Sequence, residues 1–163
     1  MEIKLYNFKN NPNESYLRML ECQGIIDANL VTNGGPLRQE DLLLQIYDWQ
    51  YLLTAIIDNK PVGLSLVRKS HEDKHKTGYD EYYYISLIAV LPEVQQNGIG
   101  TELLNQTLSL PVPLPIVASC RKANEVSKHF LSNSMTNYND TRRYHRFIDN
   151  KTYQEKQVKQ NML

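Results

Sequence analysis

Polar and apolar positions alternate from Glu2 to Tyr6, the pattern of a strand, and Asn10-Asn11-Pro12-Asn13 then supplies turn and cap residues. A helix follows over Glu14 to Gln23, where Tyr16, Leu17 and Leu20 fall at helical spacing. Asn33-Gly34-Gly35-Pro36 breaks the chain before a second helix around Gln39 to Asp48, with Leu42, Leu43, Ile46 and Tyr47 as its apolar face. Tyr51 to Ile57 and Val62 to Arg68 are β-rich runs joined by Asp58-Asn59-Lys60-Pro61, which predicts a tight hairpin. The charged stretch from Lys69 to Gly78 lacks apolar periodicity and reads as a solvated loop. Tyr82 to Val90 is long, aromatic and β-branched, with apolar side chains on both faces near its end, as in the centre of a sheet.

Beyond Pro92 a loop leads to a helix from about Gly98 to Ser109, with Ile99, Leu103, Leu104 and Leu108 facing the sheet and Pro111, Pro113 and Pro115 stopping it. Ile116 to Ser119 makes a short strand, and Asn124 to Ser132 a further helix with Ala123, Val126 and Phe130 inward. Met135 to Tyr138 and Tyr144 to Ile148 suggest a closing pair of strands, and Lys151 to Leu163 a loose tail or short helix. Interleaved strands and helices of this kind predict an α/β sandwich: one mixed sheet with helices on its faces.

At 163 residues the chain fits one domain and calls for one site. Lysine plus arginine balances aspartate plus glutamate, 18 against 18, so bulk charge supplies no field for nucleic acid or an anionic membrane. No apolar run approaches the roughly 20 residues that span a bilayer. Cys22 and Cys120 make neither a disulfide framework nor a metal cluster, and the N-terminus has no basic region followed by an apolar core, so a reduced, cytoplasmic setting is expected. His71, Asp73, His75 and Lys76 are explained by a polar surface loop rather than a metal site. Cys120 is expected to be buried and inert, and His129 exposed.

The stretch that carries chemistry runs from Ile88-Ala89-Val90-Leu91-Pro92 through Glu93-Val94-Gln95-Gln96-Asn97-Gly98-Ile99-Gly100-Thr101, joining a buried strand to a helix through a polar loop. The first amides of a helix lack intrahelical acceptors and carry partial positive charge, so a phosphate there collects several hydrogen bonds at once. Gly98 and Gly100 have no Cβ and let a pyrophosphate come close, and Thr101 adds a hydroxyl. Pro92 helps end the strand and leaves the backbone of Ala89 and Val90 open to another partner. Read alone, two glycines at this place also suit an ordinary tight turn, and Asn124 suits a helix N-cap as well as a ligand contact.

These residues resemble the acetyl-CoA-dependent GNAT superfamily of N-acetyltransferases, whose strand ends Val-x-Pro before Gln/Arg-x-x-Gly-x-Gly/Ala opens a helix. Here the two parts read Val90-Leu91-Pro92 and Gln95-Gln96-Asn97-Gly98-Ile99-Gly100. Asn124-Glu125-Val126-Ser127-Lys128-His129-Phe130-Leu131 is similar to the family's Asn-x-x-Ala-x-x-Phe-Tyr helix. The resemblance implies a GNAT-like three-layer sandwich, with a mixed, mostly antiparallel central sheet flanked by helices. It implies acetyl-CoA as cosubstrate, its pyrophosphate on Gln95, Gln96, Asn97, Gly98, Ile99, Gly100 and Thr101. The pantetheine arm would lie along Ile88, Ala89 and Val90 like an added strand, with Asn124 a further contact. The Val90 backbone N–H would polarise the thioester carbonyl during direct attack by a primary amine, with no metal and no covalent enzyme intermediate.

The chain departs from the family pattern at three places. Leu131 stands where a tyrosine often protonates the leaving sulfur, and Tyr84 where some relatives carry a glutamate base. An arginine common near Gln96 or Asn97 is missing, which leaves the phosphates to backbone amides. Tyr84, Ser86 and Glu81, with ordered water, are the candidate proton relays, and Tyr138 a substitute acid. Glu40, Asp41 and Glu81 suit a cationic amine on a small molecule or peptide, and apolar C-terminal strands suggest a homodimer. The alternatives are a catalytically silent acyl-CoA-binding sensor and a non-enzymatic interaction domain whose glycines are only a turn.

Overall fold

The computed structural model describes residues 1–32 and 48–163. In chain order the elements are β1 (Glu2–Asn7), α1 (Pro12–Glu21), α2 (Gln23–Thr32), β2 (Trp49–Ile57), β3 (Lys60–Ser70), β4 (Tyr82–Val90), α3 (Ile99–Leu108), β5 (Ile116–Arg121), α4 (Glu125–Ser132), β6 (Met135–Asn137), β7 (Tyr144–Asp149) and α5 (Asn150–Asn161). The strands form one seven-stranded sheet in the order β1-β2-β3-β4-β5-β7-β6, mostly antiparallel, with β4 and β5 parallel. The expected helix around Gln39 to Asp48, with the acidic candidates Glu40 and Asp41, lies outside the described residues except at its last position.

Two compact units divide the chain, Met1–Lys69 with Ser86–Ser109, and Ser70–Ile85 with Leu110–Leu163. In the first, the predicted hairpin forms with Asp58 and Asn59 as its two-residue turn, at φ 50° and 61°, and Ile57 opposite Lys60. Positive φ at both turn residues matches the right-handed twist of the flanking strands, and Asp and Asn tolerate it. Leu64 and Leu66 of β3 and Leu52 of β2 face α1 and α2, where Met19, Cys22, Ile25 and Ile26 close a core. The alternate β3 positions Gly63 and Ser65 face α3, whose buried Thr107 hydroxyl donates to Ser65 Oγ at 2.8 Å.

The face that α1 buries differs from the expected one. Leu17 and Leu20 are 56% and 68% exposed, and Ser15, Met19 and Cys22 point inward. Tyr16 meets Phe8 edge-on, with ring centroids 5.2 Å apart, and this contact sets the helix rotation. Ser15 tolerates burial because its hydroxyl donates to the Asn11 carbonyl at 2.7 Å.

In the second unit β4 begins beside β5, with Tyr83 opposite Ile116 and Tyr84 opposite Val117. The expected closing strands are present as β6 and β7, paired antiparallel. The C-terminal segment is a helix, α5, capped by Asp149, which accepts from the Thr152 amide and hydroxyl and from the Ile116 amide at 2.8 to 2.9 Å. Val126 of α4 is 82% exposed and Ala123 is exposed, against the expectation, while Leu131 is buried. Asn124 caps the start of α4, and Leu131 is the buried residue of that helix.

Candidate functional site: an open helix terminus after β4

β4 leaves the sheet at Val90, passes through one 3-10 turn at Pro92–Val94 and reaches an extended Gln95. Gln96 and Gly98 both adopt positive φ, 65° and 79°. Such a path suits glycine and is uncommon for glutamine, so backbone strain concentrates in the loop before α3. The first i to i−4 bond of α3 runs from the Glu102 amide to the Gly98 carbonyl at 3.0 Å. The amides of Ile99, Gly100 and Thr101 therefore precede the helical ladder, and the N-cap Gly98 contributes no side-chain cap. A Cβ built on Gly98 would meet nothing within 4 Å, and Gln95 to Gly98 are all exposed. The terminus is open, carries the positive end of the helix dipole and suits an anion in contact with backbone. Leu91 to Glu102 holds no lysine or arginine and two glutamates, so amides rather than side-chain charge provide the attraction.

The side chains of the loop hold its shape. Gln95 Nε2 donates to the Val90 carbonyl at 2.9 Å, and Asn97 Nδ2 to the Val94 carbonyl at 3.2 Å. The Val90 carbonyl also accepts from Asn29 Nδ2 at 3.1 Å, and the Leu91 amide donates to the Val62 carbonyl at 2.8 Å. The expectation of open backbone at Ala89 and Val90 is corrected for one group, the Val90 carbonyl, which Asn29 and Gln95 already occupy. Ala89 and Val90 are buried, and Ile88 and Ser86 are half-buried. Sequence reasoning passed over Asn29, for which spacing offers no signal. It also passed over Gly63, where a Cβ would lie 3.0 Å from Leu103 Cδ1, 3.2 Å from the Ala89 carbonyl and 3.3 Å from Ile99 Cγ2. That glycine lets α3 settle against the sheet beside the end of β4.

In the second unit the Tyr84 hydroxyl lies 2.5 Å from Ser119 Oγ, and the His75 ring lies over Tyr84 with centroids 4.7 Å apart. His75 Nδ1 meets the Tyr82 hydroxyl at 2.5 Å. The expected solvated loop is thus organised: Thr77 is fully buried, and Asp73 accepts from its amide, its hydroxyl and the Gly78 amide at 2.7 to 2.9 Å. Tyr138 donates to the His75 carbonyl at 2.7 Å, and burial pushes its phenol upward, partly opposed by Arg146. Its proton is committed within the fold. Asn124 Oδ1 caps α4 by accepting from the Ser127 amide at 3.0 Å. Burial raises the Cys120 thiol, with Asp140 and Glu125 adding to it and Lys128 opposing.

A polar cleft in the first unit is lined by Lys4, Glu14, Arg18 and Glu21, among others, and shares no residue with the loop after β4. Among the described residues no group of three His, Cys, Asp or Glu is placed to hold a metal, and no helix is long and apolar enough to cross a membrane.

The chain is similar in fold to an N-acetyltransferase from Staphylococcus aureus Mu50, with a TM-score of 0.56 and 18% identity over 91% of this chain and 100% of that one. A GNAT family acetyltransferase from Bacillus cereus ATCC 10987 matches with a TM-score of 0.60 and 16% identity, covering 91% and 96%. Arabidopsis thaliana NAA60, solved with a bisubstrate analogue, matches with a TM-score of 0.60 and 14% identity, covering 90% and 97%. No curated protein matches the sequence. The family model described as Acetyltransferase (GNAT) family matches residues 23–133, a span that includes β4, the open terminus of α3 and the Asn124 cap, and the chain belongs to that family.

Proposed function

We propose that the protein transfers an acetyl group from acetyl-CoA to a primary amine on a small molecule or peptide. The observation that carries the reading is the uncapped start of α3, where three successive amides and an open Gly98 suit a pyrophosphate. The amides of Ile99, Gly100 and Thr101 hold the phosphates, with Gln95, Gln96, Asn97 and Gly98 shaping the loop and the Thr101 hydroxyl as an added donor. Ile88, Ala89 and Val90 run beside the pantetheine arm, Asn124 is a further contact, and the Val90 N–H stabilises charge developing on the thioester oxygen. The amine nitrogen bonds to the acetyl carbon, the carbon–sulfur bond breaks, and the nitrogen's surplus proton leaves as the thiolate takes one up. Tyr84, hydrogen-bonded to Ser119, and Ser86 are the side chains of β4 assigned to that proton traffic.

Isothermal titration with acetyl-CoA tests the reading: saturable binding is expected and should vanish in Gly98→Trp, which places an indole over the helix terminus. Absence of binding by the natural chain refutes it. A second reading, a silent acyl-CoA-binding module, is favoured by buried Leu131 at the family's tyrosine position and by the commitment of Tyr138 to His75. Thiol release over a panel of amines separates the two. The transferase gives acceptor-dependent turnover, and the module gives binding alone.

A further inference from the structure

We infer that Asn29 is a positioning residue for the proposed transfer, fastening α2 to the peptide at which β4 turns toward the phosphate loop. This rests on the acetyl-CoA reading above. One side-chain nitrogen of Asn29 serves two carbonyls, Ile25 on its own helix at 2.8 Å and Val90, 61 residues away, at 3.1 Å. Gln95 Nε2 supplies the second donor to Val90 at 2.9 Å, so both acceptor positions of that oxygen are filled. The other end of the same peptide, the Leu91 amide, is bonded to Val62 at 2.8 Å. A peptide held at oxygen and nitrogen by three separate elements cannot turn about its flanking bonds.

The rotation it fixes, about the Cα–C bond of Val90, sets how the Val90 N–H stands relative to the start of the loop that ends at Gly98. Asn29 and Gln95 thus make one oxygen the junction of α2, β4 and that loop. Helix back-bonding alone would need only the contact to Ile25, so the reach to Val90 is a tertiary contact with its own consequence.

The test compares acetyl-CoA affinity, by titration calorimetry, in the natural chain, Asn29→Leu and the isosteric Asn29→Asp. A control is Gln23→Ala, which removes an α2 hydrogen bond to Asp27 away from Val90. Calorimetric melting establishes the temperature at which each variant is fully folded, and affinities are measured there. Loss of one junction bond is expected to weaken binding roughly three- to tenfold in Asn29→Leu. Asn29→Asp, which sets a carboxylate against the Val90 carbonyl, weakens it more, and Gln23→Ala leaves it unchanged. A lowered melting temperature with affinity within about twofold of the natural chain in both Asn29 variants would make the residue merely structural and overturn the inference. Absence of binding by the natural chain removes the acetyl-CoA reading, and this inference with it.

Discussion

Gly63→Ala tests how closely α3 must approach the sheet for its terminus to stand where it does. The new Cβ falls 3.0 Å from Leu103 Cδ1, 3.2 Å from the Ala89 carbonyl oxygen and 3.3 Å from Ile99 Cγ2. Leu103 is fully buried and Ile99 is 4% exposed, so neither side chain has room to withdraw, and the carbonyl belongs to the backbone of β4. Relief requires α3 to move off the sheet by a few tenths of an ångström. Overpacking of this kind costs about 1–3 kcal/mol, and replacing a strand glycine returns about 0.5–1 kcal/mol. The net loss, up to about 2.5 kcal/mol, lowers the melting temperature of a domain of this size by up to about 10 °C. Differential scanning calorimetry of the natural chain, Gly63→Ala and Gly63→Val should show a graded fall, with acetyl-CoA affinity falling in the same order. A melting temperature for Gly63→Ala equal to or above that of the natural chain would refute the reasoning.

Gly98→Ala meets open space, so its cost is confined to the left-handed backbone, about 1–2 kcal/mol by chemical denaturation; a much larger loss would mean that the loop packs against something. Asn124→Ala removes the α4 cap and should cost about 0.5–2 kcal/mol, whereas Asn124→Asp keeps the cap; reduced acetyl-CoA affinity in the Asp variant would give the side chain a role beyond capping. Burial pushes the Asp73 carboxyl up, but the amide and hydroxyl of Thr77, the Gly78 amide and Lys156 outweigh it and hold it below the ordinary carboxylate value. Its contribution is therefore complete above pH about 4 and is lost as pH falls through the lower folded value, so the melting-temperature gap between the natural chain and Asp73→Ala should narrow below pH about 4. A gap that stays constant with pH would contradict this. Burial, aided by Glu21, pushes the Cys22 thiol up to about 12, so a disulfide reagent at pH 7 should label it only after unfolding, and prompt labelling of the native protein would show that site to be open.

Much of the fold was legible because local chemistry and tertiary packing agree. Asp58 and Asn59 tolerate the φ their turn requires, the apolar stripe of Ile99, Leu103 and Leu104 needs one buried face, and Tyr82 to Val90 has no polar face to expose. Legibility failed where side chains of similar hydrophobicity compete for a single buried face. On α1 the aromatic contact between Tyr16 and Phe8 chose the rotation that exposes Leu17 and Leu20, and Phe8 lies outside the helix. The stretch from Lys69 to Gly78 was read as solvated because its composition is polar, yet Asp73 satisfies the backbone around Thr77 and allows that residue to be buried. The loop between β4 and α3 was visible through its glycines and proline, which are backbone signals. The grip of Asn29 on Val90 joins residues 61 positions apart through one side-chain nitrogen, and no local pattern reports such a contact.

The proposed transfer requires the open start of α3 to receive the phosphates of acetyl-CoA. Amide nitrogen and proton shifts recorded during titration with CoA test it most directly, because they report each backbone donor separately. Saturable shifts that are largest at Gly98, Ile99, Gly100 and Thr101 are expected. Saturable shifts elsewhere with these four amides unmoved would contradict it.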